Sequence, residues 1–287
     1  MYGETKTGSD GKHDFSFGKL EKKLRKNIGE AIYDYGMIAR DDKIMVCVSG
    51  GKDSYSLLDL LIKIRKKAPV NFDLIAFHLN QKQPDYPEQK IENYLKTRDI
   101  DYHIVEQDTY SVVKSKVSTG KTMCSLCSRL RRGVIYKFGK ILGATKIALG
   151  HHRDDIVETL FLNMFFGSKI KAMPPTLKSD DKKSIIIRPL SYCSERDLAA
   201  YSKVMKFPII PCSLCGSQNN LQRQIIKNML SKWERDYPGR IQNIFNSITS
   251  VVPSHLADNK LYDFEKHELF MSPPKDESKS RELMYLT

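Results

Sequence analysis

No run of apolar residues in this chain is long enough to cross a membrane, and its opening residues, Met1 to Lys12, hold no apolar core of a secretion signal. Those absences set aside membrane-spanning and exported classes and leave a cytoplasmic protein with no membrane partner as the expectation. Acidic residues are scarce beside basic ones, 34 against 47, so the net charge is +13 and the isoelectric point is near 9.3. A surplus of this sign fits a polyanionic partner, nucleic acid ahead of an anionic membrane surface; the plainer reading is a solvated basic surface. Internal repeats are absent apart from two Cys-Ser-Leu-Cys tetrapeptides, at 124–127 and 212–215. In a reducing compartment six cysteines argue against structural disulfides, and where they cluster they argue for metal or redox chemistry.

What the chain does have, over 287 residues and 33.0 kDa, is room for one large domain with appendages. Lys43–Val48, Phe72–Asn80 and Tyr102–Glu106 read as buried strands, and helical patterns at Tyr55–Ile64 and 87–97 lie between them. Strand and helix in strict alternation predict an α/β fold with a doubly wound parallel sheet. Further strands are expected at 146–150 and 184–190, and a helix at Glu195–Lys206. A basic helix is expected from Phe15 to Arg40, and residues 222–257 read as basic helices broken at Pro238-Gly239. The expected organisation is a disordered tail at 1–15, a nucleotide-binding domain with its N-terminal helix at 16–210, a cysteine motif with basic helices at 211–264, and a polar tail at 265–287.

The stretch that organises the rest is Ser49-Gly50-Gly51-Lys52-Asp53-Ser54, between the first strand and its helix. Two glycines let the backbone turn sharply and bring its N–H groups close to a ligand, and the helix N-terminus adds unpaired donors. Two hydroxyls and the mobile charge of Lys52 complete a phosphate-binding loop. It is not a Walker A loop, because Val46 stands where the first glycine belongs and Asp53 replaces the hydroxyl residue after lysine. Nor is it a Rossmann fingerprint, because Ser54 occupies the third glycine position. The loop resembles the PP-loop of ATP pyrophosphatases, which cleave ATP to AMP and pyrophosphate while adenylating a carbonyl oxygen. His78, at the end of the second strand, is either a nucleotide contact or a packed strand-end histidine.

A second constellation, Gly150 to Thr159, ends the fourth strand and enters a helix, so it faces the same crevice. Gly150 and His151 join the ATP-binding set. Asp154 or Asp155 would hold Mg²⁺ beside ATP phosphates, an acidic helix cap being the alternative. The third constellation is Cys124 and Cys127 with Cys212 and Cys215. Pairs spaced in this way suit four-ligand structural zinc, a three-ligand iron–sulfur cluster with one open iron, or a redox disulfide. Cys47 and Cys193 read as core or incidental residues.

Taken in order, Ser-Gly-Gly-Lys-Asp-Ser, Cys-x-x-Cys, Gly-His-His-x-Asp-Asp-x-x-Glu-Thr, Pro-Cys-x-Leu-Cys-Gly-Ser-Gln and Val-Val-Pro-Ser-His-Leu resemble the tRNA 2-thiocytidine synthetase family, from about Phe15 to Phe264. The resemblance implies ATP-dependent thiolation of cytidine 32 in the tRNA anticodon loop. It implies ATP and Mg²⁺ at Ser49–Ser54, with Lys52 and Asp53 catalytic. It further implies a 4Fe-4S cluster on Cys124, Cys127 and Cys215, with Cys212 surplus to that set and a zinc site kept open by it. tRNA is the implied substrate, a cysteine desulfurase the implied sulfur donor, and a homodimer is left open. Arg129, Arg131 and Arg132, beside the first cysteine pair, are candidate RNA contacts, or else the solvated face of a helix. Two other readings compete: a lysidine-type PP-loop tRNA ligase with structural zinc, and a non-enzymatic zinc-stapled RNA-binding module.

Overall fold

The sheet begins at the apolar run ahead of the two glycines. In the computed structural model, which describes residues 10–84, 86–116, 124–179, 182–210 and 218–269, β1 spans Asp42–Cys47. It is followed by α2 (Lys52–Arg65), β2 (Phe72–Asn80), α3 (Glu88–Lys96) and β3 (Asp101–Glu106). Ahead of β1 runs α1 (Asp10–Asp34), so the basic helix starts within the segment expected to be a tail. The chain continues through α4 (Tyr110–Lys116), α5 (Cys124–Ile141), β4 (Lys146–Ala148), α6 (Arg153–Gly167), β5 (Thr176–Lys178), β6 (Ile185–Ile187) and α7 (Glu195–Met205). The last described elements are α8 (Gln218–Asp236), α9 (Arg240–Thr249) and a hairpin of β7 (Tyr262–Asp263) and β8 (Glu268–Leu269).

Six strands form one sheet in the order β3-β2-β1-β4-β6-β5, all parallel except β5, which runs antiparallel to β6. From β1 the chain winds outward to β2 and β3, then returns to the other side of β1 with β4. Strand order therefore reverses between β1 and β4, and ligands on open α/β sheets bind beyond the carboxyl ends of the strands at such a point.

Alternation along β1 sorts its side chains to two faces. Ile44, Val46 and Val48 join the larger core with Leu24 and Ile28 of α1, Leu57, Leu58 and Leu61 of α2, and Leu198 and Tyr201 of α7. Met45 faces the other way, packing with Phe77, Ile147 and Ile135 of α5. Helices thus cover both faces, as a parallel sheet requires. Two buried carboxylates fix the elements that carry the site. At the amino end of β1, Asp42 Oδ2 takes Lys146 Nζ at 2.6 Å and Oδ1 accepts from the Thr145 hydroxyl at 2.7 Å, tying β1 to β4. Asp59 on α2 is 3% exposed, accepts from the Tyr201 hydroxyl at 2.5 Å and pairs with Lys63 at 3.0 Å. That contact locks α7 onto α2 and sets where Glu195 arrives.

The described chain divides into two compact units with a boundary between Asn228 and Met229, inside α8. In the second unit, both Glu234 oxygens accept from the N-terminus of α9, from Gly239 N at 3.0 Å and Ile241 N at 2.9 Å. The break expected at Pro238-Gly239 is present, with Gly239 at φ +91° supplying the turn.

Candidate active site

Four residues, Val48 to Gly51, connect β1 to α2. Gly50 adopts φ +87°, a conformation costly for residues with a Cβ, and a Cβ there would come within 3.3 Å of Ile91 and Ile210. The loop holds its own shape: Ser54 Oγ accepts from Ser49 N at 3.1 Å and donates to Gly51 O at 2.9 Å, and the two serine hydroxyls lie 3.2 Å apart. Gly51 caps α2 without a side-chain capping bond, and its own N–H donates to Ser49 Oγ at 3.4 Å. On the outside of the turn, Ile210 N donates to Gly50 O at 2.9 Å.

The second motif closes on the first. A Cβ on Gly150 would lie 3.1 Å from Asp53 C and Ser54 N, so the segment after β4 rests directly on the first turn of α2. A reciprocal capping box then starts α6: His152 Nδ1 accepts from Asp155 N at 3.3 Å, and Asp155 Oδ2 accepts from His152 N at 3.1 Å. His152 Nε2 points back to Asp53, 3.9 Å from Oδ1. That Oδ1 is buried and has no hydrogen-bond partner, while Oδ2 takes Lys52 Nζ at 2.9 Å.

Charges ring the loop. Glu195 Oε1, at the start of α7, accepts from both Lys52 Nζ at 3.2 Å and Lys227 Nζ at 2.6 Å. Burial works against the Lys52 cation, but Asp53 and Glu195 overcome it and raise its pKa, so the lysine stays charged. Asp155 and Glu158 share Arg223, at 3.4 and 3.0 Å. Asp154 is committed elsewhere, to Arg153 at 3.3 Å and to the backbone N–H of Glu195 at 3.0 Å. Of the carboxylates expected to hold Mg²⁺, Asp154 is thus occupied by structural partners and Asp155 is partly so. The orphaned Asp53 Oδ1 is the better-fitting oxygen for a divalent cation, which takes one or two carboxylates and otherwise phosphate oxygens. Glu195, Lys227 and Arg223 were invisible as site residues in the sequence, because only folding brings α7 and α8 to the glycine turn.

Of the two readings of His78, the structure shows the features of the packed strand-end histidine. Its ring is 1% exposed; Nδ1 donates to Val48 O at 2.8 Å, so Nε2 accepts from the Tyr86 hydroxyl at 3.2 Å. Both nitrogens are used, and burial lowers the pKa, keeping the ring neutral. His78 supports the loop from beneath. His151 differs: its buried Nδ1 has no hydrogen-bond partner, and burial pushes its pKa down to about 4, outweighing the attraction of Asp155. A depressed histidine pKa stabilises the fold fully above its unfolded value of 6.5 and progressively less as pH falls from there towards 4. His151→Gln is therefore expected to lose less stability than the parent between pH 7 and pH 5. Chemical denaturation at both pH values checks this, and parallel losses would remove His151 as the source.

The first cysteine tetrapeptide opens α5, with Cys124 its first residue and Cys127 three residues further on. A helix N-terminus favours thiolates. Cys127 Sγ lies 3.4 Å from Gln81 Oε1, and Gln81 directly follows β2. The tetrapeptide therefore stands at the same carboxyl edge of the sheet as the glycine turn. Cys212 and Cys215 lie outside the described residues. Cys47 ends β1, where burial pushes its thiol up to about 12 despite Arg131; Cys193 is fully buried and its pKa is also raised. Neither has the character of a reactive thiolate. Arg129, Arg131 and Arg132 are exposed along α5 and form no ion pair among the described residues.

A glycine turn at the switch point of this sheet, closed by Gly150 and ringed by Lys52, Asp53 and Glu195, defines a nucleotide-binding domain of the PP-loop class. The family profile described as a PP-loop domain matches residues 19–233. Relatives named tRNA-cytidine(32) 2-sulfurtransferase include one from Pasteurella multocida, 58% identical over 90% of this chain and 82% of its own length. Another, from Aeromonas salmonicida, is 60% identical over 88% of this chain and 84% of its own. A third, from Saccharophagus degradans, is 62% identical over 86% and 80%. The chain belongs to the tRNA-cytidine(32) 2-sulfurtransferase family, and with it to the sulfurtransferase enzymes. Among solved structures, the U34-tRNA thiolase NcsA from Methanococcus maripaludis with its 4Fe-4S cluster superposes with a TM-score of 0.65 at 20% identity, covering 84% of this chain and 82% of that one. That likeness establishes the fold.

Proposed function

We propose that the chain uses ATP to activate the 2-oxygen of cytidine 32 in a tRNA anticodon loop and then exchanges that oxygen for sulfur. The observation that carries this reading is the placement of two chemistries on neighbouring strands at one edge of the sheet. Val48, leading into the glycine turn after β1, takes the His78 hydrogen bond from β2, and Cys127 meets Gln81 where β2 ends. Membership in a family named for cytidine 32 supports the substrate and the reaction.

In the activating step the cytosine 2-oxygen forms a bond to the α-phosphorus of ATP, and the bond from that phosphorus to the bridging oxygen of pyrophosphate breaks. The loop N–H groups and Lys52 hold the phosphates, and Lys52 spreads their charge as pyrophosphate leaves. Asp53 keeps Lys52 in place through Oδ2 and offers Oδ1 to Mg²⁺. In the second step sulfide adds to carbon 2 and the carbon–oxygen bond breaks, releasing AMP that carries the original cytosine oxygen. No electrons change hands.

Cys124 and Cys127 on the first turn of a helix are a fitting donor pair for a soft metal centre, and with Cys215 they make the three-thiolate set of a 4Fe-4S cluster. Such a cluster, when bound, supplies an iron free of protein ligands at which sulfur is held. A cysteine desulfurase is the proposed sulfur donor; it delivers sulfur at the persulfide level, so a thiol reductant supplies the two electrons that bring it to sulfide before the transfer step. The positive surface, with Arg129, Arg131 and Arg132 exposed beside the cysteines, suits tRNA phosphates. An unpaired anticodon-loop base is also cheaper to draw into a pocket than a paired one. No helix among the described residues is long and apolar enough to cross a membrane.

Purification without air tests the metal assignment. Brown protein with about four irons and four sulfides per chain, and zinc far below one per chain, is the expected result. Colourless protein with stoichiometric zinc would instead favour a zinc-stapled PP-loop ligase.

A further inference from the structure

Two lysine ammonium groups converge on one carboxylate oxygen beside the glycine turn. Lys52 Nζ lies 3.2 Å and Lys227 Nζ 2.6 Å from Glu195 Oε1. Lys52 belongs to the loop, and Lys227 comes from α8, the helix after the second cysteine tetrapeptide. The carboxylate they share is held below its usual range: burial would raise it, but the Lys227 hydrogen bond and the charges of Lys52 and Lys227 prevail. A carboxylate oxygen accepting from two ammonium groups at the mouth of a phosphate loop is the same kind of charged acceptor as a phosphate oxygen. α8 is clamped to the same rim a second time, through Arg223 on Asp155 and Glu158.

We propose that Lys227 is a second pyrophosphate-binding cation of this site, and that Glu195 is the surrogate anion that holds it and Lys52 ready until the β- and γ-phosphates arrive. The proposal rests on the reading of the glycine turn as an ATP site and deepens it by assigning its pyrophosphate end. On binding, the phosphate oxygens take over the two ammonium groups and Glu195 gives them up. Charge-assisted bonds of this kind are the strong ones, and they act only on the part of the ligand that reaches α8. AMP lacks that part.

The test is calorimetric titration of the full-length protein with inorganic pyrophosphate plus Mg²⁺, and separately with AMP. Lys227→Ala is expected to weaken pyrophosphate binding about tenfold and to leave AMP binding unchanged, while Lys227→Arg recovers most of the loss. Glu195→Gln removes the competing anion and keeps the backbone N–H that Asp154 uses, so it is expected to tighten pyrophosphate binding by roughly threefold or more. A structural role for the Glu195–Lys227 pair predicts the opposite sign for Glu195→Gln, weaker binding of both ligands, and that result overturns the proposal. Unchanged pyrophosphate affinity in Lys227→Ala overturns it as well, with the ATP-site reading intact as long as AMP still binds. A parent protein that binds neither ligand would defeat the ATP-site reading itself.

Discussion

Asp53→Ala is expected to lower tRNA-dependent pyrophosphate release by roughly 10²–10³-fold, without reducing bound iron and sulfide. The size of the effect follows from what the side chain does with each oxygen. Oδ2 holds Lys52 at 2.9 Å; Oδ1 is buried, has no hydrogen-bond partner, and faces His152 from 3.9 Å. A carboxylate oxygen left unpaired in a buried setting is costly unless something pairs with it when the site is in use. A divalent cation on the triphosphate is the partner that fits. Removing Asp53 therefore withdraws the proposed metal ligand and leaves Lys52 held by Glu195 alone, while the cysteines on α5 keep their support. Pyrophosphate release close to the parent rate would exclude Asp53 from the chemistry. Loss of iron together with activity would mean that the loop and the cysteine region fall apart as one unit.

The second large effect is expected at the cysteines. Cys127→Ala and Cys215→Ala should each reduce 2-thiocytidine formation by at least about 10²-fold while tRNA-dependent pyrophosphate release persists. A cysteine sulfur that ligates the proposed cluster cannot be replaced by methyl without opening the metal site. Cys212→Ala is expected to be milder, since three thiolates complete the proposed set. Nucleoside analysis of the tRNA and a pyrophosphate assay on the same variants separate the two steps. Equal loss in Cys212→Ala and Cys215→Ala would replace the three-ligand assignment with a four-ligand one.

Much of this architecture was readable from residue order. β1 carries a short unbroken apolar run, Ile44 to Val48, followed after Ser49 by two glycines and a lysine, and a strand–turn–helix suits that succession. The second motif announced itself by a glycine before two histidines and two aspartates, and Gly150 packs on the first turn of α2 as a shared crevice requires. Short elements carried too little pattern. β5 has three residues, comes just after Pro174 and Pro175, and pairs only through its neighbour β6, so nothing local marked it. α4 buries only Val113 in a polar segment, too little apolar pattern to mark a helix. β7 and β8 contribute two residues each.

Within the site, the division is between chemistry carried by neighbours in sequence and chemistry carried by neighbours in space. The loop residues fall in the first class. His78 falls in the second: the sequence placed it at a strand end and left two readings open, and its bonds to Val48 and Tyr86 are those of the packed one. Glu195 and Lys227 are unremarkable in composition, an acidic residue opening one helix and a lysine in another. They gain meaning because Asp59 and Tyr201 lock α7 against α2, which delivers Glu195 to Lys52.

The central claim is that this crevice converts the cytosine 2-oxygen into a leaving group. Transfer RNA carrying ¹⁸O at the 2-position of cytidine 32 should yield ¹⁸O-labelled AMP in step with 2-thiocytidine and unlabelled pyrophosphate. Thiolation that leaves the AMP unlabelled would contradict the account.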